Sequence, residues 1–174
     1  MPVKPRFQIT IGSNENYKKT VQGLGLICAE FQHLESVLKL TIPLLIDPKD
    51  LRLGKIITAE LSFKATLDLL CALYHYRFNN AEELEKLQRF LAECAQIEGD
   101  RNRFIHSRWN LDIDAGKGAI RIKHSARNRK EFRSRRETLL PADMENLANK
   151  IRAIREKFFK DWLQRIHEYG LRVH

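Results

Sequence analysis

Residues 81–109 read AEELEKLQRFLAECAQIEGDRNRFIHSRW. The stretch opens acidic, at Glu82 and Glu83, as the positive end of a helix dipole prefers. Leu84, Leu87, Leu91 and Cys94 then recur at three and four residues, the spacing that lines one face of an α-helix. Followed onward, that face meets Glu98, then Arg101 and Asn102, then Ile105 and Trp109. An apolar stripe that turns polar for two turns must either leave the core or line a cleft, because a buried polar group without a partner costs free energy. Gly99, in the middle, is where such a helix would loosen or kink.

Working outward, Leu24, Ile27, Cys28, Phe31, Leu34 and Leu38 mark an earlier amphipathic helix that starts near Ser13 to Glu15. It is expected to end near Pro43, whose ring removes a backbone donor and clashes with the preceding turn. Asp47 to Asp50 reads as a connector, and a second helix is expected from Thr58 to Phe78. Asn79 and Asn80 stop it, with Asn80 placed to cap the next. After Trp109 the period changes to two, and Asn110 to Lys123 reads as a β-hairpin around the glycines of 115–118. Ala126 to Glu137 carries no apolar stripe. Pro141 opens a last helix whose buried face is Met144, Leu147, Ile151, Ile154, Phe158, Trp162 and Ile166, ending near Gly170. The pattern predicts an all-α fold: an antiparallel bundle of four long helices with a β-hairpin inserted between the third and fourth. One domain would span 1–174, with an N-terminal arm at 1–13 and the hairpin and basic segment at 110–137.

The 174 residues carry a net charge of +9 and are 43% hydrophobic, enough for a core. No apolar run approaches a membrane span, and no apolar stretch follows the basic N-terminus, so the expected location is the cytoplasm. Cys28, Cys71 and Cys94 sit among leucines and are expected to be buried, reduced thiols rather than disulfide or zinc ligands. The charge is localised. Residues 1–100 hold 12 Lys+Arg against 13 Asp+Glu, residues 101–136 hold 12 against 3, and residues 137–174 hold 7 against 6. A concentrated excess of this kind suits an anionic partner, most economically a nucleic acid. The candidate phosphate contacts are Arg103, Arg108, Arg127, Arg129, Lys130, Arg133, Arg135 and Arg136. The same run would also serve as a solvated connector.

Within that region, Arg101, Asn102 and His106 share a helix surface, since Asn102 and His106 are four residues apart. They combine an imidazole that moves protons near neutral pH, an amide that can orient it, and a guanidinium that can clamp a phosphate. Those parts suffice to cleave RNA without a metal: the ribose 2′-hydroxyl loses a proton while charge building on the phosphate is stabilised. With 17 Arg, 9 Asn and 6 His in the chain, Arg-Asn-x-x-x-His arises by chance about 0.03 times, whereas a looser Arg/His spacing is expected about twice. Asn102 therefore carries the specificity of the match.

A helical bundle with Arg-Asn-x-x-x-His late in its third long helix, then a short connection and a closing helix, resembles the HEPN domain family. The motif match covers Arg101, Asn102 and His106, and the architectural match covers about residues 14–169. The resemblance implies a metal-independent endoribonuclease of toxin–antitoxin, antiphage or RNA-processing type. Two copies of the motif would face each other across a homodimer cleft, with no cofactor and no metal. His106 would be the general base or acid, Arg101 would hold the scissile phosphate and Asn102 would order the site. Glu98, one turn earlier, would support them by pairing with Arg101 or its symmetry mate. The partners implied are RNA, a second copy and an antitoxin or regulatory protein. Other members of the family are inactive or bind nucleotides, so a non-catalytic HEPN-like module for RNA binding or protein interaction is the alternative.

Overall fold

A computed structural model describes residues 15–110, 119–127 and 131–172. It is mostly helical, with one small antiparallel sheet. The helices are α1 (Glu15–Ile46), α2 (Leu51–Ala59), α3 (Phe63–Phe78), α4 (Ala81–Ile105), α5 (Pro141–Phe158) and α6 (Gln164–Arg172); the strands are β1 (Arg108–Asn110), β2 (Ala119–Arg127) and β3 (Glu131–Leu139). A π-helical turn, Phe159–Leu163, joins α5 to α6. The expected arm at 1–13, the hairpin turn at 111–118 and the pair Arg129 and Lys130 lie outside the described residues.

α1 is the spine, packing most extensively on α5 and also on α2, α3, α4 and α6. Ile27, Leu34, Leu38, Ile42 and Leu45 are fully buried along it. This corrects the expected end at Pro43, which lies inside α1. An interior proline costs about 3 kcal/mol, but each fully buried Leu or Ile returns about 1.5–3 kcal/mol, and the stripe continues through Ile42 and Leu45. The Thr41 hydroxyl donates to the Val37 and Leu38 carbonyls at 2.7 and 2.9 Å. Arg77 of α3 closes the end, donating to the Leu45 and Ile46 carbonyls, both at 2.7 Å.

The expected second helix is α3, and a further helix, α2, precedes it in a stretch for which no element was expected. α2 is capped by Asp50, which accepts from the Arg52 amide at 3.0 Å. α3 begins at Phe63 rather than near Thr58 and is capped by Ser62. α2 lies against α1 at a glycine: a Cβ on Gly54 would stand 2.5 Å from Pro43 Cα. Asn79, at φ 42°, ends α3 as expected, and Asn80 caps α4 by accepting from the Glu83 amide.

The sheet is antiparallel throughout, in the order β1-β2-β3. The pairing of β1 with β2 was expected, but the third strand was not: the basic segment 126–137, read from sequence as lacking a stripe, supplies most of β3. Ala119 pairs with Leu139 and Arg127 with Glu131 at the two ends of β2–β3. Of the three cysteines expected to be buried, Cys94 is, whereas Cys71 is half-buried and Cys28 exposed. Burial pushes the Cys94 thiol up to about 12. No helix among the described residues is long and apolar enough to cross a membrane.

Candidate active site

α4 ends at Ile105, one turn short of the face extended in sequence to Trp109, and His106 is its C-terminal cap. The His106 amide still donates to the Asn102 carbonyl at 3.1 Å, so the imidazole stays registered to the helix. The buried stripe also takes another path. Leu87, Phe90, Leu91, Cys94, Ile97 and Phe104 face the core. The polar interruption is therefore a single position: Arg101 stands four residues after Ile97 and three before Phe104. Gly99 is exposed, with open space around it, and α4 runs through it as one helix.

Arg101 is half-buried, its guanidinium 5.1 Å from the Phe31 ring of α1. A delocalised cation over an aromatic face is stabilised by the ring quadrupole. Its Nε is buried and finds no acceptor among the described residues. Nη1 donates to Asn102 Oδ1 at 2.8 Å and lies 3.4 Å from His106 Nε2. A guanidinium has no lone pair to offer, so Nε2 can take part in this contact only as the acceptor. All three motif residues thus meet at one cation.

The last carbonyls of α4 are taken up from outside the helix. Ser107 Oγ donates to the Arg103 carbonyl at 2.6 Å, and Arg121 Nη1 of β2 donates to the same oxygen at 2.9 Å. Trp109 Nε1 donates to the Phe104 carbonyl at 3.0 Å, with its ring against Phe104. Arg121 is only 3% exposed and pairs with Glu137, directly across the strand; Glu137 also pairs with Arg103. Cations placed at the negative end of a helix are stabilising. This network fixes the sheet to the end of α4 and holds the chain on both sides of His106.

His106 itself is exposed, in an open depression of about 420 Å³ lined by Gln96, Gly99, Asp100, Asn102, Arg103 and Ser107 with it. Lys150 of α5 reaches Asp100 at 3.6 Å on the rim. Glu98 is not brought to the motif within the chain: it lines a separate groove between α3 and α4 with Lys64, Leu67 and Cys71. Arg103 is engaged by Glu137, and Arg108 and Arg136 are exposed. Arg127, Arg133 and Arg135 are placed by strand register alone. Arg121, Glu137 and Ser107 were given no role in the sequence reading; the cross-strand partnership of Arg121 with Glu137 needed the register of a strand that carries no apolar stripe.

A second cavity of about 400 Å³ opens toward the other end of α4, over Tyr74, Phe90 and Trp162. Its cations are each matched to a carboxylate: Lys86 to Glu82, Arg89 to Glu85, Lys157 to Glu93 and Arg165 to Glu83. Burial pushes the Tyr74 hydroxyl there up to about 12. The chemistry-bearing motif, rather than this cavity, is the candidate site, because there a titratable nitrogen, a partly open cation and an orienting amide converge. Among the described residues no group of three or more His, Cys, Asp and Glu side chains is placed to hold a metal ion. Compared with known protein families, curated proteins and solved structures, the chain matches none.

Proposed function

We propose that this chain is a metal-independent endoribonuclease of HEPN type, acting as a homodimer in the cytoplasm, within the antiparallel four-helix arrangement that the motif resemblance implies. The observation that carries the reading is the convergence of Asn102 Oδ1 and His106 Nε2 on Arg101 Nη1. Arg101 leaves Nη2 without a partner among the described residues, so part of its fork remains for a phosphate oxygen. As Arg101 Nη1 turns from His106 to the phosphate, the freed Nε2 lone pair takes the proton of a ribose 2′-hydroxyl, and the 2′-oxygen attacks phosphorus as the bond to the 5′-oxygen breaks. The leaving oxygen takes a proton from an acid, for which the second copy's imidazole is the natural source. The products are a 2′,3′-cyclic phosphate and a 5′-hydroxyl. In the shared cleft, a second copy would lie over the depression that holds His106. A toxin or antiphage role, held in check by an antitoxin or regulatory protein, follows from the same reading.

The test is cleavage of RNA in EDTA. The expected outcome is wild-type activity that falls by about 10²–10⁴-fold in His106→Ala and Arg101→Ala. Cleavage by His106→Ala at the wild-type rate would sink the mechanism. The second reading, a non-catalytic RNA-binding or protein-interaction module, is favoured by one observation: Arg103 and Arg121 are already spent on Glu137. It predicts salt-dependent RNA binding with no cleavage at any protein concentration.

A further inference from the structure

The strand register divides the basic segment into two faces. Residues paired across an antiparallel ladder lie on one face, and successive residues alternate. Trp109, Arg121 and Glu137 form one cross-strand row, and Leu139 lies on the same side. This is the face turned to the helices, because Arg121 and Leu139 are buried and Trp109 lies against Phe104. Beyond Arg121 and Glu137, that face carries the pairs Lys123–Arg135, Ser125–Arg133 and Arg127–Glu131. The outward face carries Arg108, Ile122 and Arg136 in one row, then His124 with Ser134 and Ala126 with Phe132. Four cations and one carboxylate thus extend along the inner face of the β2–β3 ladder. Only Arg136 is a fixed cation on the outer face of those two strands.

We propose that the inner face of β2–β3 is a track for the phosphodiester backbone of single-stranded RNA, with Lys123, Arg127, Arg133 and Arg135 as its phosphate contacts and the Arg101–His106 site at its inner end. The track rests on the ribonuclease reading for what happens at that end, and not for binding itself. Its direction follows from the anchoring network. Arg103 pairs with Glu137 of this face, its carbonyl accepts from Arg121 of the same face, and Arg103 and Ser107 line the depression that holds His106. A strand laid along the face therefore leads to the imidazole.

Alternate residues of a strand recur about every 6.6–6.8 Å, a repeat on the scale of one nucleotide of extended backbone. The two strands are about 4.8 Å apart, so the row is one backbone wide. A duplex carries two phosphate rows held apart by its grooves and could set only one of them on a row one backbone wide. A basic track with sequence-tolerant contacts is how single strands are commonly held.

Arg135 and Arg136 are adjacent in sequence and opposite in face, which makes the test sharp. In a His106→Ala background, binding of a labelled, unstructured single-stranded RNA is followed by anisotropy beside a duplex of equal length. Arg135→Gln is expected to weaken the single strand about three- to tenfold, Arg136→Gln less than about twofold, and Arg135→Lys to restore affinity. Replacing Lys123, Arg127, Arg133 and Arg135 together by Gln should reduce the salt slope by about 2–3, at about 0.7 per phosphate released. Equal losses at Arg135 and Arg136, a loss that Arg135→Lys does not restore, or duplex bound as tightly as single strand would each overturn the track. Cleavage separates the two readings. If the face-selective losses are seen but wild type cleaves nothing in EDTA, the ribonuclease reading fails and the track stands. If wild type cleaves and Arg135→Gln leaves kcat/KM unchanged, the track fails alone.

Discussion

Two helices in this molecule end in the same way and to different purpose. α1 is closed by Arg77, which gives both hydrogen bonds to the terminal carbonyls and is itself flanked by Tyr76 and Tyr169. α4 is closed by Arg121, but there the work is shared with Ser107 and Trp109, and Glu137 holds the arginine from behind. Unpaired carbonyls at a helix end attract a cation in either place. At α1 the cap completes a packing joint. At α4 it grips the chain before and after His106 while leaving the imidazole in solvent, so the same physics serves to present a side chain.

Removing each cap is the strongest way to break the comparison. Arg77→Met and Arg121→Met should each cost about 2–4 kcal/mol, since each loses charge-assisted hydrogen bonds and strands carbonyls. Denaturant melts measure that. On the proposed ribonuclease reading, only Arg121→Met should also lower RNA cleavage, by tenfold or more, and equal activity losses would show that the α4 cap has no special relation to His106. Glu137→Gln probes the support behind the second cap and should cost about 1–3 kcal/mol, with the larger part absent in an Arg121→Met background.

Acid separates both ends from the middle of the fold. Glu30 of α1 accepts from Arg152 at 2.7 and 2.9 Å and from Arg155 at 2.7 Å. Burial pushes its carboxyl up, but the Arg152 hydrogen bond and the charges of Arg155 and Arg152 outweigh that and hold it below the usual range. A carboxyl depressed on folding stabilises above its unfolded pKa, and that contribution is lost as pH falls through the folded value. Glu30→Gln should therefore cost about 1–2 kcal/mol at neutral pH, discounted because Arg152 is partly exposed. The deficit should shrink toward zero at strongly acid pH, and cleavage at neutral pH should be unchanged. The smallest expected effect is at Trp109. Trp109→Phe keeps a ring against Phe104 but deletes the bond to its carbonyl, costing about 1 kcal/mol by thermal melting.

The long periodic helices were legible because burial writes itself into spacing. Leu87 to Cys94 read as they fold, and Met144 to Ile166 keep the expected buried face, although the one helix expected there is α5, the π-helical turn and α6. What was misread depends on contacts distant in sequence. Pro43 ends a helix by local rules and does not here, because Ile42 and Leu45 are held by partners on other elements. α2 is short, and its Gly54 looks like a breaker until it is seen beside Pro43. β3 is a run of arginines whose strand character comes from pairing with β2. At the site, the motif's composition and its late position on α4 were readable. The path of the stripe was not: Glu98 and Asn102 were taken as its continuation where Ile97 and Phe104 carry it. A choice between faces one residue apart is settled by which neighbours pack against them.

Arg101 occupies a seam position between Ile97 and Phe104, against Phe31, whereas His106 stands outside the core. The two are therefore under different kinds of constraint. If the proposed ribonuclease activity holds, a chain that drifted away from it could discard His106 at almost no cost to folding, but replacing Arg101 would require Phe31 and its neighbours to be refitted. In such a lineage the arginine would outlast the histidine, as a fossil of chemistry retained by the core.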